Sequence, residues 1–177
     1  LSMRKLRNSE LKRVSTEEFK AIEKLPIIVV LDDVRSMHNV GSVFRTSDGF
    51  KVEKIVLGGI TPTPPQPEIE KTALGSTESV EWCHRDDLVS FVLESKKEGY
   101  RSIAFEHTSK SIALTEYVMS QQKVVLVFGN EIKGVSQEVL EVCDEILEIP
   151  QFGTKHSFNI AVSAGIGIWE FAKTFIN

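Results

Sequence analysis

From residue 148 the chain reads Glu148-Ile149-Pro150-Gln151-Phe152-Gly153-Thr154-Lys155-His156-Ser157-Phe158-Asn159, and an apolar segment, residues 160–171, follows directly. We expect a strand over residues 145–149 that ends at Pro150, a loop around Gly153, and a helix whose N-cap is Ser157 or Asn159. The first turn of a helix has unpaired N–H groups and a partial positive charge. This junction can therefore hold a small polar ligand through its main chain, although an ordinary strand-to-helix connection explains the same residues.

The segment 160–171 is apolar or small at nearly every position until Glu170. A helix that is apolar on all sides is buried on all sides. The segment is too short and too rich in glycine for a membrane span, and its small residues allow another helix to approach closely. We therefore predict that this helix lies both in the core and in a subunit interface. The chain should form a homodimer through it and through the helix that follows Asn39.

Length and composition indicate an ordinary globular protein: 177 residues predict a single domain, and 41% of them are hydrophobic and 26% charged. Cys83 and Cys143 have no close-spaced partner, and the four histidines show no metal-ligand spacing. These features favour a reducing compartment and no structural metal. Since no signal peptide or membrane span is recognisable, we expect a cytoplasmic protein. Leu1 and Ser2, before Met3, are interpreted as a remnant of expression.

The net charge of −4 does not predict a nucleic-acid-binding protein. The charge is uneven, however, because Glu10 alone balances a group of basic residues near the N-terminus, Arg4, Lys5, Arg7, Lys12 and Arg13. Such an arm can contact phosphates, and a solvated chain terminus explains it equally well. We divide the chain into this basic arm, residues 1–14, and one domain, residues 15–177.

Strands and helices alternate along the chain. Ser15 and Glu18 form a predicted capping box that opens a helix ending near residue 24. The run at residues 27–31 is apolar without interruption, as in a parallel sheet covered on both faces. The alternation predicts an α/β fold with a mainly parallel sheet flanked by helices. The predicted strands cover residues 27–31, 54–57, 79–82, 101–105, 123–128 and 145–149, and further helices cover residues 86–98 and 137–142.

The turn after the first predicted strand carries an arginine of interest. Asn39 and Gly41 should lie near the start of a helix, with Arg45 about one turn further in. An arginine so close to the carboxyl end of a strand can reach the crevice where open α/β sheets bind ligands. A surface arginine paired with Asp48 or Asp32 explains the same residue.

A third turn follows the strand at residues 123–128. Gly129 and Gly134 bracket the carboxylate of Glu131 at a place where the backbone must turn sharply and often meets a ligand. Neither a dinucleotide-binding glycine fingerprint nor a phosphate-binding loop is present, and no nucleophile elbow stands out. The candidate ligand loops are therefore those after Phe105, Phe128 and Ile149.

Taken together, three stretches resemble the three sequence motifs of the SpoU (TrmH) family of RNA ribose methyltransferases, in the family's order and spacing. This resemblance covers nearly the whole chain after the arm. It implies methylation of a ribose 2′-hydroxyl in tRNA or rRNA with S-adenosyl-L-methionine as donor, a C-terminal trefoil knot of the SPOUT fold, and a homodimer. The stretches are Asn39-x-Gly41-x-x-x-Arg45-Thr46, Phe128-Gly129-Asn130-Glu131-x-x-Gly134 and Ile149-Pro150-x-x-Gly153-x-x-x-Ser157-Phe158-Asn159.

The resemblance also implies roles for individual residues. Arg45 would be the catalytic arginine, and Asn39, Glu131, Ser157 and Asn159 would shape the site. Lys71 would contact RNA together with the basic arm. The donor would be held largely by backbone contacts, so that phenylalanine at position 158, where leucine is usual, should be tolerated. The donor-binding residues implied are Phe105, Glu106, Phe128, Gly129, Asn130, Gly134, Ile149, Pro150, Gln151, Ser157, Phe158 and Asn159.

Two alternatives remain open at this point: an RNA-binding relative that transfers no methyl group, and a knotted methyltransferase that acts on a base. The proton acceptor is open as well. A guanidinium is permanently protonated at neutral pH and cannot accept the proton. We therefore expect Arg45 to grip a phosphate and to stabilise the forming alkoxide, with Glu131 as the rival base. No metal is expected, because transfer from a sulfonium needs none.

Overall fold

The computed structural model describes residues 3–176. Leu1 and Ser2, which are interpreted as a remnant of expression, lie outside the described residues. Seven strands in this range form one sheet in the order β3-β2-β1-β6-β4-β7-β5, and every pair of neighbours is parallel. The strands are β1 (Leu25–Asp32), β2 (Val52–Gly58), β3 (Trp82–Arg85), β4 (Arg101–Phe105), β5 (Ile112–Ala113), β6 (Val124–Gly129) and β7 (Glu145–Glu148).

Helices cover both faces of the sheet. Along β1, Val29 and Leu31 pack in one layer with the helices at residues 37–49 and 160–172. Ile28 and Val30 pack in the opposite layer with the helices at residues 88–97 and 137–142. This two-sided burial confirms the α/β fold expected from the uninterrupted apolar run. The helices are α1 (Thr16–Ala21), α2 (Met37–Gly49), α3 (Pro67–Ala73), α4 (Ser76–Ser79), α5 (Leu88–Lys97), α6 (Gln137–Val142) and α7 (Ile160–Ala172), and 3₁₀ turns cover Asn8–Glu10 and Lys173–Phe175.

Local sequence signals are accurate in most places. The capping box at Ser15 and Glu18 is present, and β4 has the predicted bounds. The predicted strand at residues 79–82 is wrong. Ser79 ends helix α4 and donates hydrogen bonds to the Asp48 carboxylate and the Ser76 carbonyl. These side-chain bonds favour a helical turn, and the strand begins only at Trp82.

The C-terminal part of the sheet has an unusual connectivity. Strand β7 lies between β4 and β5, although β4 and β5 are consecutive in the chain. Helix α7 then returns to pack on β6, β1 and α2. The trefoil knot stays a prediction. The carboxyl ends of β4, β6 and β7, which the knot would involve, lie side by side in the sheet.

Helix α7 is not buried on all sides within one chain. Ala164, Gly167 and Ile168 are buried, but Val162 is 52% exposed and Trp169 47% exposed. Within one chain the helix is therefore buried only on its inner side, and its burial in a subunit interface stays a prediction. An apolar stripe remains open on the outer side of the helix, as a subunit interface requires.

Candidate active site

A pocket of about 470 Å³ lies at the carboxyl ends of β4, β6 and β7. Nearly all the predicted donor-binding residues line it, and Pro150 is the exception among them. Glu131 also lines the pocket, whereas Arg45 does not. The predicted residues in its walls are Phe105, Glu106, Phe128, Gly129, Asn130, Glu131, Gly134, Ile149, Gln151, Ser157, Phe158 and Asn159.

The floor of the pocket consists of two stacked aromatic rings. Phe105 ends β4 and Phe128 lies in β6, and their ring centroids are 4.8 Å apart with 14° between the planes. Gly167 of α7 lies directly against both rings, since a Cβ there would be 2.8 Å from Phe105 and 2.9 Å from Phe128. The close approach of α7 therefore depends on the missing side chain.

The 129–134 turn is held by its own backbone and by one asparagine. Asn130 and Gly134 exchange two backbone hydrogen bonds of 3.0 and 2.9 Å. The Asn130 side-chain oxygen also accepts from the N–H groups of Ile132 and Lys133, both at 2.9 Å. Gly134 has φ +71°, and a Cβ on Gly129 would be 2.1 Å from a backbone nitrogen. Both motif glycines are thus required by backbone geometry.

Glu106 supports this turn from the neighbouring strand. Its Oε2 accepts a hydrogen bond from the Val135 N–H at 2.9 Å, and its Oε1 accepts from the His107 N–H at 2.8 Å. The side chain therefore positions the wall of the pocket. The sequence implied only direct contact with the donor for this residue.

The carboxylate of Glu131 connects the turn to the start of α2. It accepts hydrogen bonds of 3.1 Å from the N–H groups of Arg35 and Ser36, and one of 3.3 Å from Asn39 Nδ2. Partial burial raises the pKa of Glu131, but the backbone and side-chain hydrogen bonds outweigh burial, and the net pKa lies below its ordinary value. Glu131 is therefore an ionised carboxylate, and both of its oxygens already accept hydrogen bonds.

Asn39 joins the first and third motifs. Its Oδ1 accepts a 3.1 Å hydrogen bond from Asn159 Nδ2, while its own amide donates to Glu131. Asn159 is the N-cap of α7, and its Oδ1 accepts from the N–H groups of Ala161 and Val162. One chain of hydrogen bonds, from Glu131 through Asn39 to Asn159, therefore links all three motifs at the pocket.

Gly41 of the first motif is structural. A Cβ there would be 2.1 Å from Thr72 Oγ1 and 2.2 Å from the Ile69 carbonyl oxygen. Helix α3 therefore crosses α2 at this glycine and fixes the position of the first motif.

Arg45 lies on the exposed side of α2, next to the buried Phe44. It makes no hydrogen bond or ion pair with any residue between 3 and 176. The alternative pairings are absent, because Asp48 accepts from Ser79 and Asp32 accepts from Ser136. Within one chain Arg45 is thus a free cation outside the pocket, and its catalytic role stays a prediction.

The loop at residues 149–158 is open. None of its N–H groups donates a hydrogen bond to another group in the described part of the chain. Residues from Gln151 through Asn159 are all exposed. The backbone donors that the third motif was expected to offer a ligand are therefore available. Ser157 lines the pocket within this loop.

The basic residues predicted to bind RNA lie outside the pocket. Arg4 is paired with Glu10 at 2.7 Å, and Lys71 is paired with Glu68, which also contacts His38. Lys71 and His38 lower the pKa of Glu68 through their hydrogen bonds. Lys5, Arg7, Lys12 and Arg13 are exposed.

Several pocket residues were missed by the sequence analysis. His107 Nδ1 lies 3.1 Å from Glu148 Oε2 in the pocket wall, and Ser111 donates to the same carboxylate. Lys133 and His156 also line the pocket. Their positions next to motif residues were the available signal.

Between residues 3 and 176, no three His, Cys, Asp or Glu side chains are grouped closely enough to hold a metal ion. No helix in that range is long and apolar enough to cross a bilayer.

Comparison with known proteins gives a consistent result. A 23S rRNA (guanosine-2′-O-)-methyltransferase, RlmB, of Neisseria meningitidis is 28% identical over 82% of this chain and 57% of its own length. A tRNA (guanosine(18)-2′-O)-methyltransferase of Aquifex aeolicus is 32% identical over 81% of this chain and 67% of its own. The crystal structure of an AdoMet-bound rRNA methyltransferase from Sinorhizobium meliloti has a TM-score of 0.79 and 27% identity, covering 90% of this chain and 60% of that one.

The chain thus spans a little more than half to two thirds of the length of these relatives. The model of the SpoU rRNA Methylase family matches residues 26–169, a range that contains nearly all of β1, the three motif loops and most of α7. Sequence, sheet and motif network agree, and the chain belongs to the SpoU rRNA methylase family.

Proposed function

We propose that the chain catalyses the methylation of a ribose 2′-hydroxyl in RNA with S-adenosylmethionine as donor. The observation that carries this proposal is the hydrogen-bond chain from Glu131 through Asn39 to Asn159. It ties the first motif to the second and third, which line one pocket of suitable size. The names of the two curated relatives and the AdoMet-bound structure support the same reaction.

The pocket fits the chemical parts of this donor. Its volume lies within the range of about 300–1,000 Å³ of small-molecule sites. Ile149 and Phe158 offer apolar walls for an adenine ring, and the free N–H groups of the 149–158 loop offer donors for a carboxylate. The carboxylates of Glu106 and Glu148 give the pocket negative charge that favours a sulfonium cation.

When bound, S-adenosylmethionine supplies a methyl group on a positively charged sulfur. The remaining task of the protein is to position the ribose hydroxyl and to stabilise the oxygen as it loses its proton. Glu131 is poorly suited as the base, because its oxygens already accept hydrogen bonds and its pKa is lowered. We assign Glu131 as a positioning residue for the start of α2.

Arg45 is the group best suited to hold the RNA phosphate beside the reacting ribose. Its guanidinium is permanently charged and presents a planar fork of donors that matches a phosphate. It lies outside the pocket of its own chain, and we infer that a second subunit brings it to a pocket. Helix α2 packs on α7, whose open stripe of Val162 and Trp169 would be covered in a two-fold dimer. We infer that the active enzyme is such a dimer.

The basic arm, residues 1–14, is proposed to add affinity for RNA, and residues 15–177 to form the methyltransferase domain. Arg4 is balanced by Glu10, which leaves Lys5, Arg7, Lys12 and Arg13 as the effective charges. Phosphate contacts make RNA binding salt-dependent. Deletion of residues 1–13 should therefore weaken RNA binding and lower the slope of log affinity against log salt concentration, and an unchanged slope would exclude the arm.

The proposed reaction is tested with RNA isolated from cells that lack the gene and S-adenosylmethionine labelled in its methyl group. We expect label in the RNA with the wild-type chain and a strong loss with Asn39→Ala, which removes both hydrogen bonds between the motifs. Gln137→Ala is the matched control, since it removes an exposed 3.1 Å hydrogen bond to Glu141 on α6. Donor binding without any transfer to RNA would contradict the proposal.

A further inference from the structure

Two loops border the mouth of the pocket, and each exposes one large apolar side chain. Ile132 lies in the 129–134 turn and is 82% exposed. Phe152 lies in the 149–158 loop and is 97% exposed. Ile132 lines the pocket mouth, whereas Phe152 lies outside the cavity, between Gln151 and His156, which line it. Neither side chain contributes to the hydrophobic core.

Apart from Glu131, the polar residues of the same two loops are basic or neutral. Lys133, Lys155 and His156 are exposed there, and residues 149–159 include no Asp or Glu. The one acidic residue in the 129–134 turn is Glu131, whose carboxylate is held by hydrogen bonds to Arg35, Ser36 and Asn39. A protein of net charge −4 therefore presents two apolar side chains and two lysines on these loops at the rim of the pocket, whereas the carboxylates of Glu106 and Glu148 belong to the pocket itself.

This combination matches the chemistry of an unpaired nucleotide. Single-stranded RNA is bound by aromatic side chains that stack on its bases and by cations that hold its backbone. A buried protein interface would instead favour apolar neighbours and few lysines at the centre of the contact.

We propose that Phe152, supported by Ile132, is a stacking platform for an unpaired base next to the nucleotide that is methylated. Lys133 and Lys155 hold the adjoining phosphates. The inference rests on the proposed function, because RNA is taken as the ligand of this rim. It goes further because it names the chemical class of ligand that the rim binds, which is a base that is already unpaired. Bases inside a duplex are stacked on one another and cannot reach Phe152.

The test is RNA affinity, which can be measured whether or not methyl transfer occurs. The probe is a fluorescently labelled, unpaired 12-nucleotide RNA of mixed sequence, with the same strand annealed to its complement as the comparison. Binding is followed by fluorescence anisotropy in the presence of S-adenosyl-homocysteine. The variants are Phe152→Ala, Phe152→Trp, Lys155→Ala and Val118→Ala. Val118 is 85% exposed in the segment between β5 and β6, does not line the pocket, and serves as the matched control.

We expect Phe152→Ala to weaken binding of the unpaired RNA about tenfold with an unchanged salt slope, because stacking carries no charge. Phe152→Trp should retain the affinity, and Lys155→Ala should lower the salt slope by about one. Phe152→Ala should bind the duplex with wild-type affinity, and Val118→Ala should bind both RNAs with wild-type affinity.

Three results would overturn the platform: unchanged affinity of Phe152→Ala, an equal loss for unpaired and duplex RNA, or a change in oligomeric state on sedimentation. The last result would assign Phe152 to a protein interface. If Phe152→Ala leaves RNA affinity unchanged while the chain methylates RNA at a normal rate, the stacking platform is refuted and the proposed reaction is not. Stacking-dependent binding without methyl transfer to any RNA would refute the proposed reaction alone.

Discussion

Replacement of Gly167 by alanine should damage the pocket from beneath. The new Cβ would lie 2.8 to 3.0 Å from the buried rings of Phe105 and Phe128, so that α7 or the rings must shift. Overpacking of a core costs about 1–3 kcal/mol. Alanine also has a higher helix propensity than glycine by about 1 kcal/mol, which partly hides the cost. A control that carries only the propensity gain is therefore needed.

Gly165→Ala is that control, because the same helix has nothing within 4 Å of a Cβ at Gly165. The propensity gain is common to both variants, so Gly167→Ala should be less stable than Gly165→Ala by about 1–3 kcal/mol. For a chain of this size the difference corresponds to roughly 2–12 °C in Tm. Thermal unfolding at one protein concentration measures it, with sedimentation beside it because Gly165 lies near the open stripe.

Calorimetric titration with S-adenosyl-homocysteine in chelator gives the functional side of the same comparison. Gly167→Ala should bind more weakly, since the rings it displaces form the pocket floor, and Gly165→Ala should bind like wild type. Equal stability and equal binding of the two variants would refute the view that α7 holds the floor by close packing.

Three further predictions concern single side chains. Arg45→Ala should lower methyl transfer by at least about a hundredfold with donor affinity unchanged, and near-wild-type turnover of Arg45→Lys would argue against a bidentate phosphate contact. Trp169→Glu should convert a dimer into a monomer at micromolar concentration in sedimentation, and a monomeric wild-type chain would refute the interface. Glu131→Gln should be less stable than wild type in urea at pH 7. Because the pKa of Glu131 is lowered in the folded chain, the stabilisation by its carboxylate is present above the ordinary pKa of 4.5 and is lost as the pH falls below it. The stability difference between wild type and Glu131→Gln should therefore shrink in acid. A difference that stays constant with pH would contradict the assignment of Glu131 as a positioning residue.

The fold was predictable where short-range patterns and burial agree. The apolar run of β1 and the capping box at Ser15 identify a buried strand and a helix start without knowledge of the rest of the chain. The turn at Ser76–Ser79 was not predictable in this way, because its hydrogen-bond partner Asp48 is 31 residues distant in sequence. The two-residue strand β5 exists only through its pairing with β7.

The candidate site, too, was predictable only in part from the sequence. Its loops followed from strand ends, glycines and motif resemblance, and nearly all the implied donor-binding residues line the pocket. Glu131 was expected to shape the site. Its contact with the Arg35 N–H, and the support that Glu106 gives to Val135, could not be inferred, because these partners are fixed by the tertiary structure. The outward position of Arg45 depends on which side of α2 is buried, and no sequence pattern separates Arg45 from Asn39.

The most direct test of the central claim is the position of the methyl group in the product. RNA methylated by the purified chain is digested to nucleosides for mass spectrometry, and a second portion is hydrolysed in alkali. A ribose 2′-O-methyl group adds its mass to the sugar fragment and leaves the adjoining phosphodiester resistant to alkali, because the attacking 2′-hydroxyl is blocked. We predict both observations, with the signal absent in the Asn39→Ala variant. A methyl group found only on the base fragment, with every linkage cleaved by alkali, would contradict the account.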